Sequence, residues 1–206
     1  MSNTQLNLPE AFIDNYIYEA KKLLRSEMLQ EDVIELIAEF MIEEINDTID
    51  EKDLPTEEDI ENEVTTMASF AIDKAVEQCL SEEKTWLELT DCDKLTNAFE
   101  ELSENGIVAQ ENFTCCQTCG SYEIAEHAVE GDYGYVFYHQ QDTERAVEGD
   151  GVYLSYGNIG SDEKPLTDIT DQIVNTIEKH GLRVNWNRSM NTRMLVNLDW
   201  KKRIFN

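Results

Sequence analysis

The chain has 206 residues, of which 41% are hydrophobic, enough to build one large domain or two small ones around a core. Its net charge of -28 is extreme for that length, and a field of that sign turns away free nucleic acid and anionic membranes. The start, Met1-Ser2-Asn3-Thr4-Gln5-Leu6, has neither a basic residue nor an apolar run, and five cysteines without framework spacing argue against a disulfide scaffold. No stretch is long and apolar enough to span a bilayer, and the expected setting is a reducing cytoplasm.

Pro9 suits the first turn of a helix. Phe12, Ile13, Tyr16, Ile17, Ala20, Leu23, Leu24 and Met28 then recur at intervals of three and four. A second helix carries Val33, Ile34, Ile37, Phe40, Met41 and Ile45 on one side, and Asn46 to Leu54 reads as an acidic turn. Thr56-Glu57-Glu58-Asp59 resembles a capping box, and Ile60, Val64, Met67, Ala71, Ala75, Cys79 and Leu80 line one face of the helix behind it. Three such stripes bury one another, so residues 1–85 read as an acidic helical region with 23 acidic residues against 6 basic. Cys79 falls in that core, where a thiol is inert. Lys84 to Leu89 is the candidate boundary, with Trp86 anchoring the join.

Beyond the boundary, Thr90-Asp91-Cys92-Asp93 caps a helix whose face is Leu95, Ala98, Phe99 and Leu102, ended by Gly106. Ile107 to Phe113 reads as a strand, Ser121 to Val129 as a helix and Tyr133 to Tyr138 as an aromatic strand. A short helix over Asp142 to Val147, a strand over Val152 to Tyr156 and a helix after Pro165 follow. Leu182 to Trp186 and Met194 to Trp200 alternate in polarity around a short loop, the pattern of a hairpin. The expected fold is α+β: a helical unit at 1–85, then a mixed sheet with packed helices at 86–206. Charge reverses at the end, where Lys179, Arg183, Arg188, Arg193, Lys201, Lys202 and Arg203 face Asp199 as the one acid. The hairpin is expected beside an acidic helix of the same protein, where the counter-charge is always at hand.

Chemistry concentrates between Asn112 and Arg145, which hold three of the five cysteines and two of the three histidines. Three readings of Cys115, Cys116 and Cys119 compete. Cys116-x-x-Cys119-Gly120 has the spacing of a zinc knuckle, and Cys115, His127 and His139 are near enough in sequence to complete the ligand set. The thiols also follow a strand and open a helix, and the positive end of a helix favours thiolate. That geography suits a redox pair, or a cysteine nucleophile (Cys115 or Cys116) with His139 as base and Asp142 as orienting acid. The third reading is structural: small side chains filling a turn that Asn112 caps, with His139 bonded to backbone and Asp142 and Thr143 capping the next helix.

Asn112-Phe-Thr-Cys-Cys-Gln-Thr-Cys-Gly120, Gly134-Tyr-Val-Phe-Tyr-His-Gln-Gln-Asp-Thr-Glu144, Tyr153-Leu-Ser-Tyr-Gly157 and His180-Gly-Leu-Arg-Val-Asn-Trp-Asn187 together resemble one family of uncharacterised bacterial proteins. The resemblance runs from Trp86 onward and leaves the acidic helices outside. It supports the domain boundary and implies no activity. Two functions stay open: an acidic interaction protein that binds a basic protein partner or acts as a decoy or inhibitor, and a thiol- or zinc-dependent enzyme or redox protein.

Overall fold

The computed structural model describes residues 10–49, 56–160 and 164–205, and its architecture is α+β. It divides into two compact units, Met1–Trp86 with Arg203–Asn206, and Leu87–Lys202.

Among the described residues the first unit has three helices: α1 (Glu10–Arg25), α2 (Gln30–Thr48) and α3 (Glu57–Glu83). Tyr16, Ala20 and Leu24 of α1, Val33, Ile37, Met41 and Ile45 of α2, and Ile60, Val64, Ala68, Ala71 and Ala75 of α3 share one core. These residues recur every three or four positions, so each helix turns one stripe inward. The α1–α2 reversal is made by Glu27, whose φ of 66° is left-handed. The turn expected from Asn46 begins later, because α2 continues through Thr48; the remainder of that turn, from residue 50, and Pro9 lie outside the described residues. Thr56 caps α3 by accepting from the Asp59 amide at 3.3 Å, while the Asp59 carboxylate takes the Thr56 hydroxyl instead of closing the box on backbone. Arg25 is buried between the Glu83 carboxylate at 2.5 Å and the Cys79 carbonyl at 3.1 Å, and lies 4.4 Å from the Trp86 ring centre. Cys79 is fully buried, and burial pushes its thiol further from ionisation.

The second unit opens with α4 (Asp91–Glu104), whose Thr90 and Asp93 form a complete capping box. Its strands are β1 (Ile107–Gln110), β2 (Gly134–Phe137), β3 (Val152–Asn158), β4 (Arg183–Asn185) and β5 (Met194–Asn197), in the sheet order β1-β2-β3-β5-β4. β1 and β2 run parallel, and the remaining pairs are antiparallel. Parallel neighbours need a crossover, and the one between β1 and β2 contains α5 (Gln117–Glu123) and a 3-10 turn at Ile124–His127. The helix expected over Ser121 to Val129 thus starts four residues earlier and tightens halfway. After β2 comes α6 (Gln140–Val147), and after β3 comes α7 (Leu166–Lys179).

Strand alternation sends side chains to two faces. Ile107, Val136, Leu154, Met194 and Val196 meet Leu95, Phe99 and Leu102 of α4 and Ile169, Ile173 and Ile177 of α7. Val108 and Phe137 point the other way, toward Ile124 and Phe113. Cys92 is buried, and its sulfur accepts from the Lys201 amide at 3.3 Å. Two arginines of the C-terminal hairpin pair inside this unit: Arg188 with Asp171 of α7 at 2.5 Å, and Arg193 with Asp142 of α6. No described helix is long and apolar enough to cross a membrane.

Candidate functional site

The thiol loop is the continuation of β1 past its last paired residue. Phe113 N–H donates to the Tyr138 carbonyl at 2.8 Å, and Gln140 N–H donates to the Thr114 carbonyl at 3.1 Å. Those bonds extend the β1–β2 pairing one step beyond the regular strands. Between them the backbone is strained: Asn112 and Thr114 adopt φ of 45° and 59°. A β-branched residue in the left-handed region costs on the order of 1–2 kcal/mol, so the surroundings must hold it. Thr143 does part of this, donating its hydroxyl to Asn112 Oδ1 at 2.8 Å, and Thr114 Oγ1 donates to the Cys116 carbonyl at 3.2 Å.

The kinked loop turns Cys115 back over the first turn of α5. The sulfurs of Cys115, Cys116 and Cys119 all lie within 4.8 Å of one another, with Cys115 exposed and the other two half-buried. Cys115 and Cys119 Sγ are 3.6 Å apart. Gly120 is what allows α5 to sit here: a Cβ on it would meet the Phe137 ring at 2.5 Å. The glycine after the last cysteine is therefore explained by a close approach of helix to strand.

The thiols are electrostatically unequal. Cys116 stands at the N-cap position in extended backbone, and no hydrogen bond of ordinary geometry runs from its side chain to the cap. The Cys119 amide nevertheless faces its sulfur, and that, followed by the Cys119 thiol, lowers the Cys116 pKa below its usual value. Cys119 is pushed up to about 11, first by its hydrogen bond with Cys115 and then by that with Cys116. The expected cause was the positive end of the helix that the thiols open. α5 has seven residues, so the asymmetry comes from local amides and neighbouring sulfurs.

His139 and Asp142 belong to a different environment. His139 is 4% exposed and Asp142 is 0% exposed. The Asp142 carboxylate takes His139 Nε2 at 3.0 Å, the His139 amide at 3.3 Å and Arg193 Nη1 at 2.9 Å, with Arg193 Nη2 closing a second bond. Arg193 Nη2 also donates to the Tyr153 carbonyl. Burial holds the His139 pKa below its usual value, although Asp142 pulls the other way. A neutral imidazole donating from Nε2 fits that pair, which leaves Nδ1 as an acceptor; that atom has no hydrogen-bond partner among the described residues.

Among the described residues no hydrogen bond links His139 to a thiol, and the sulfur cluster forms without His127 or His139. A cysteine nucleophile needs its base within hydrogen-bond reach. The Cys115 or Cys116, His139 and Asp142 arrangement therefore divides into a surface thiol cluster and a buried ion pair with a histidine. His127 is exposed at the end of the 3-10 turn, its ring edge-on to Phe113 at 5.0 Å between centres. The sequence reading missed Arg193 as the partner of Asp142. The signal available was a lone arginine one residue before an apolar strand.

A second feature of this unit is a groove of about 550 Å³ between α4 and β1, lined by Phe99, Glu100, Ser103, Glu104, Ala109 and Glu111, among others. β1 is an edge strand of the sheet. Tyr133 N–H donates to the Gly106 carbonyl and Tyr138 N–H to the Gln110 carbonyl. Residues 106 and 110 thus face β2, and by alternation Ile107 and Ala109 turn their backbone groups to the open edge.

The chain belongs to a family described as a Domain of unknown function (DUF6891), whose model matches residues 17–204. The match takes in α1 from Ile17 onward and the whole of α2 and α3, so the acidic helices lie largely within the family and not before it. No curated protein and no solved structure matches the chain.

Proposed function

We propose, on the premise of membership in a family that no activity defines, that this protein binds a soft metal ion of the zinc type through Cys115, Cys116 and Cys119. The observation that carries the reading is the mutual proximity of the three sulfurs, within 4.8 Å. Tetrahedral zinc with bonds of about 2.3 Å to sulfur sets ligand sulfurs roughly 3.8 Å apart, a spacing these side chains reach by small rotations. An ion would also displace the thiol protons, since thiolate is the form that binds metal. With three protein ligands the fourth position is open to water or to a ligand brought by another molecule, and an exposed Cys115 suits such exchange. Three free thiols fit a reducing compartment.

Cobalt(II) tests this. Metal-free protein titrated with cobalt is expected to develop the absorption bands of tetrahedral thiolate coordination at one ion per chain, and zinc should then bleach them. Cys116→Ser is expected to lose the bands. A wild-type titration with no bands, and no retained zinc by elemental analysis, removes the reading.

The groove beside β1 favours a second reading, an interaction with a basic protein segment. Its three carboxylates and open strand edge suit an extended chain carrying Lys or Arg, and the net charge of -28 suits the same partner. Binding should weaken with salt and be lost in Glu100→Lys with Glu104→Lys, whereas a short DNA duplex should not bind at any salt concentration. Partner binding indifferent to both carboxylates argues against the groove.

A further inference from the structure

We propose that Cys115 and Cys119 form a reversible dithiol–disulfide couple, oxidised by low-molecular-weight disulfides, that opens and closes this thiol site. The couple rests on the proposed metal site only for what it would release; the disulfide itself is a property of the two sulfurs.

Geometry singles out this pair. The sulfurs are 3.6 Å apart, and a disulfide bond of about 2.05 Å requires them to close by roughly 1.6 Å, within reach of side-chain rotation. The left-handed Thr114 and extended Cys116 are what bring Cys115, which lies outside the helix, over Cys119, which lies inside it. Cys116 is adjacent to Cys115 in the chain, and a bond between neighbours would force the backbone between them into strain. Access separates these residues from the other thiols. Cys115 is exposed and Cys119 half-buried, whereas Cys79 and Cys92 are buried in the cores. An oxidant in solution therefore meets the cluster first.

The step balances without any bound cofactor. The Cys115 thiolate attacks one sulfur of the external disulfide, forming a mixed disulfide and expelling a thiolate. Cys119 then loses its proton to solvent, and its sulfur attacks the Cys115 sulfur, expelling the second thiolate. Two protein thiols are oxidised and one external disulfide is reduced to two thiols. In the product one sulfur of the cluster, that of Cys116, remains able to bind an ion, too few to hold it.

The test uses the full chain, metal-free, treated with oxidised glutathione at neutral pH. The expected product has lost two hydrogens, retains three of the five free thiols and yields a cross-linked Cys115–Cys119 peptide. Cys116→Ser should behave the same way. Cys115→Ser and Cys119→Ser should lose the cross-link, and Cys119→Ser should stop at a glutathione adduct on Cys115. Five free thiols after treatment, a persistent adduct on the wild type, or a cross-link through Cys116 overturns the proposal. In a parallel arm, cobalt-loaded protein should lose its bands as the cross-link forms. A cross-link in a protein that never bound cobalt defeats the metal reading and upholds the couple. Bound cobalt with no cross-link does the opposite.

Discussion

Two groups of polar side chains in the second unit have opposite physical characters. Cys115, Cys116 and Cys119 cluster at the surface, hold one another by weak sulfur contacts and are carried by a strained loop. His139, Asp142 and Arg193 are packed inside, with the Asp142 carboxylate saturated by four donors. The backbone joins them, because Gln140 N–H bonds to the Thr114 carbonyl. Among the described residues no hydrogen bond joins the His139 ring to a thiol. Adjacent strand ends bring chain segments together, but chemistry depends on which side chains share a hydrogen bond, and here the histidine is already engaged by its own helix. The surface group is available for reaction, and the buried group holds the sheet and α6 in register.

That contrast is broken most directly by removing one member of each group. Arg193→Ala leaves a fully buried carboxylate without its guanidinium, a loss of about 3–5 kcal/mol. Cys115→Ser, Cys116→Ser and Cys119→Ser, in metal-free protein, should each change stability by about 0.5 kcal/mol or less, as surface substitutions do. Urea midpoints measure both. A cysteine variant as costly as Arg193→Ala would mean that the thiols are part of the core. Asp142→Asn, which removes the charge and keeps an acceptor, should fall between the two.

Gly120 is the point where the surface group rests on the core. Gly120→Ala places a methyl group against the Phe137 ring and should cost about 1–3 kcal/mol by overpacking. The same variant should lift α5 and separate the sulfurs, so cobalt affinity should fall together with stability. If stability drops and cobalt binding is unchanged, the cluster does not depend on the seating of α5.

Much of this was readable from residue spacing. The helical stripes of α1 to α3, the Thr90 cap, the aromatic strand β2 and the C-terminal hairpin all follow from periodicity and turn chemistry, which are local. The assembly of three thiols was legible too, since five consecutive residues cannot scatter far. The start of α5 was not, because Cys116 to Gly120 lacks an apolar stripe and the helix there is fixed by the contact of Gly120 with Phe137. The fate of His139 and Asp142 was also hidden. It is set by Arg193, 51 residues beyond Asp142, and no local pattern announces a pairing between a helix cap and a distant strand. The reach of α2 through Thr48 was missed because Asn46, Asp47 and Thr48, beyond the buried Ile45, are polar and exposed, without the apolar signal that marks a buried face.

The buried group should also reveal itself through pH. His139 has a folded-state pKa below the unfolded value of about 6.5, mainly because burial penalises the imidazolium. Below that value the unfolded chain takes up a proton that the folded chain resists, so stability is present above the unfolded pKa and is lost as pH falls toward the folded one. One group contributes a slope of at most about 1.4 kcal/mol per pH unit. The charged groups that bear on it, Asp142, Arg193 and Arg145, are unchanged in His139→Gln. The difference in slope between wild type and that variant, from pH 7 to pH 5, isolates the histidine. Equal slopes would place the imidazole in contact with water.

The smallest effect concerns a side-chain tie that reaches from the helix of the buried group to the strained loop. Thr143 is fully buried and gives its hydroxyl to Asn112 Oδ1, one turn along α6 from His139. Thr143→Val keeps the volume and removes the donor, at a cost of about 1 kcal/mol. The loss falls on a segment that is already strained at Asn112 and Thr114, so it should appear locally before it appears globally. Hydrogen exchange at the Phe113 and Gln140 amides, which hold the loop to β2, should accelerate while exchange in β3 and α7 stays near wild type. The loop should then present Cys115 less consistently to Cys119, and the rate of cross-linking by oxidised glutathione should fall although both cysteines remain. Faster exchange with an unchanged cross-linking rate would show that the thiols find each other without the strained loop, and that the buried group and the surface group are neighbours without being coupled.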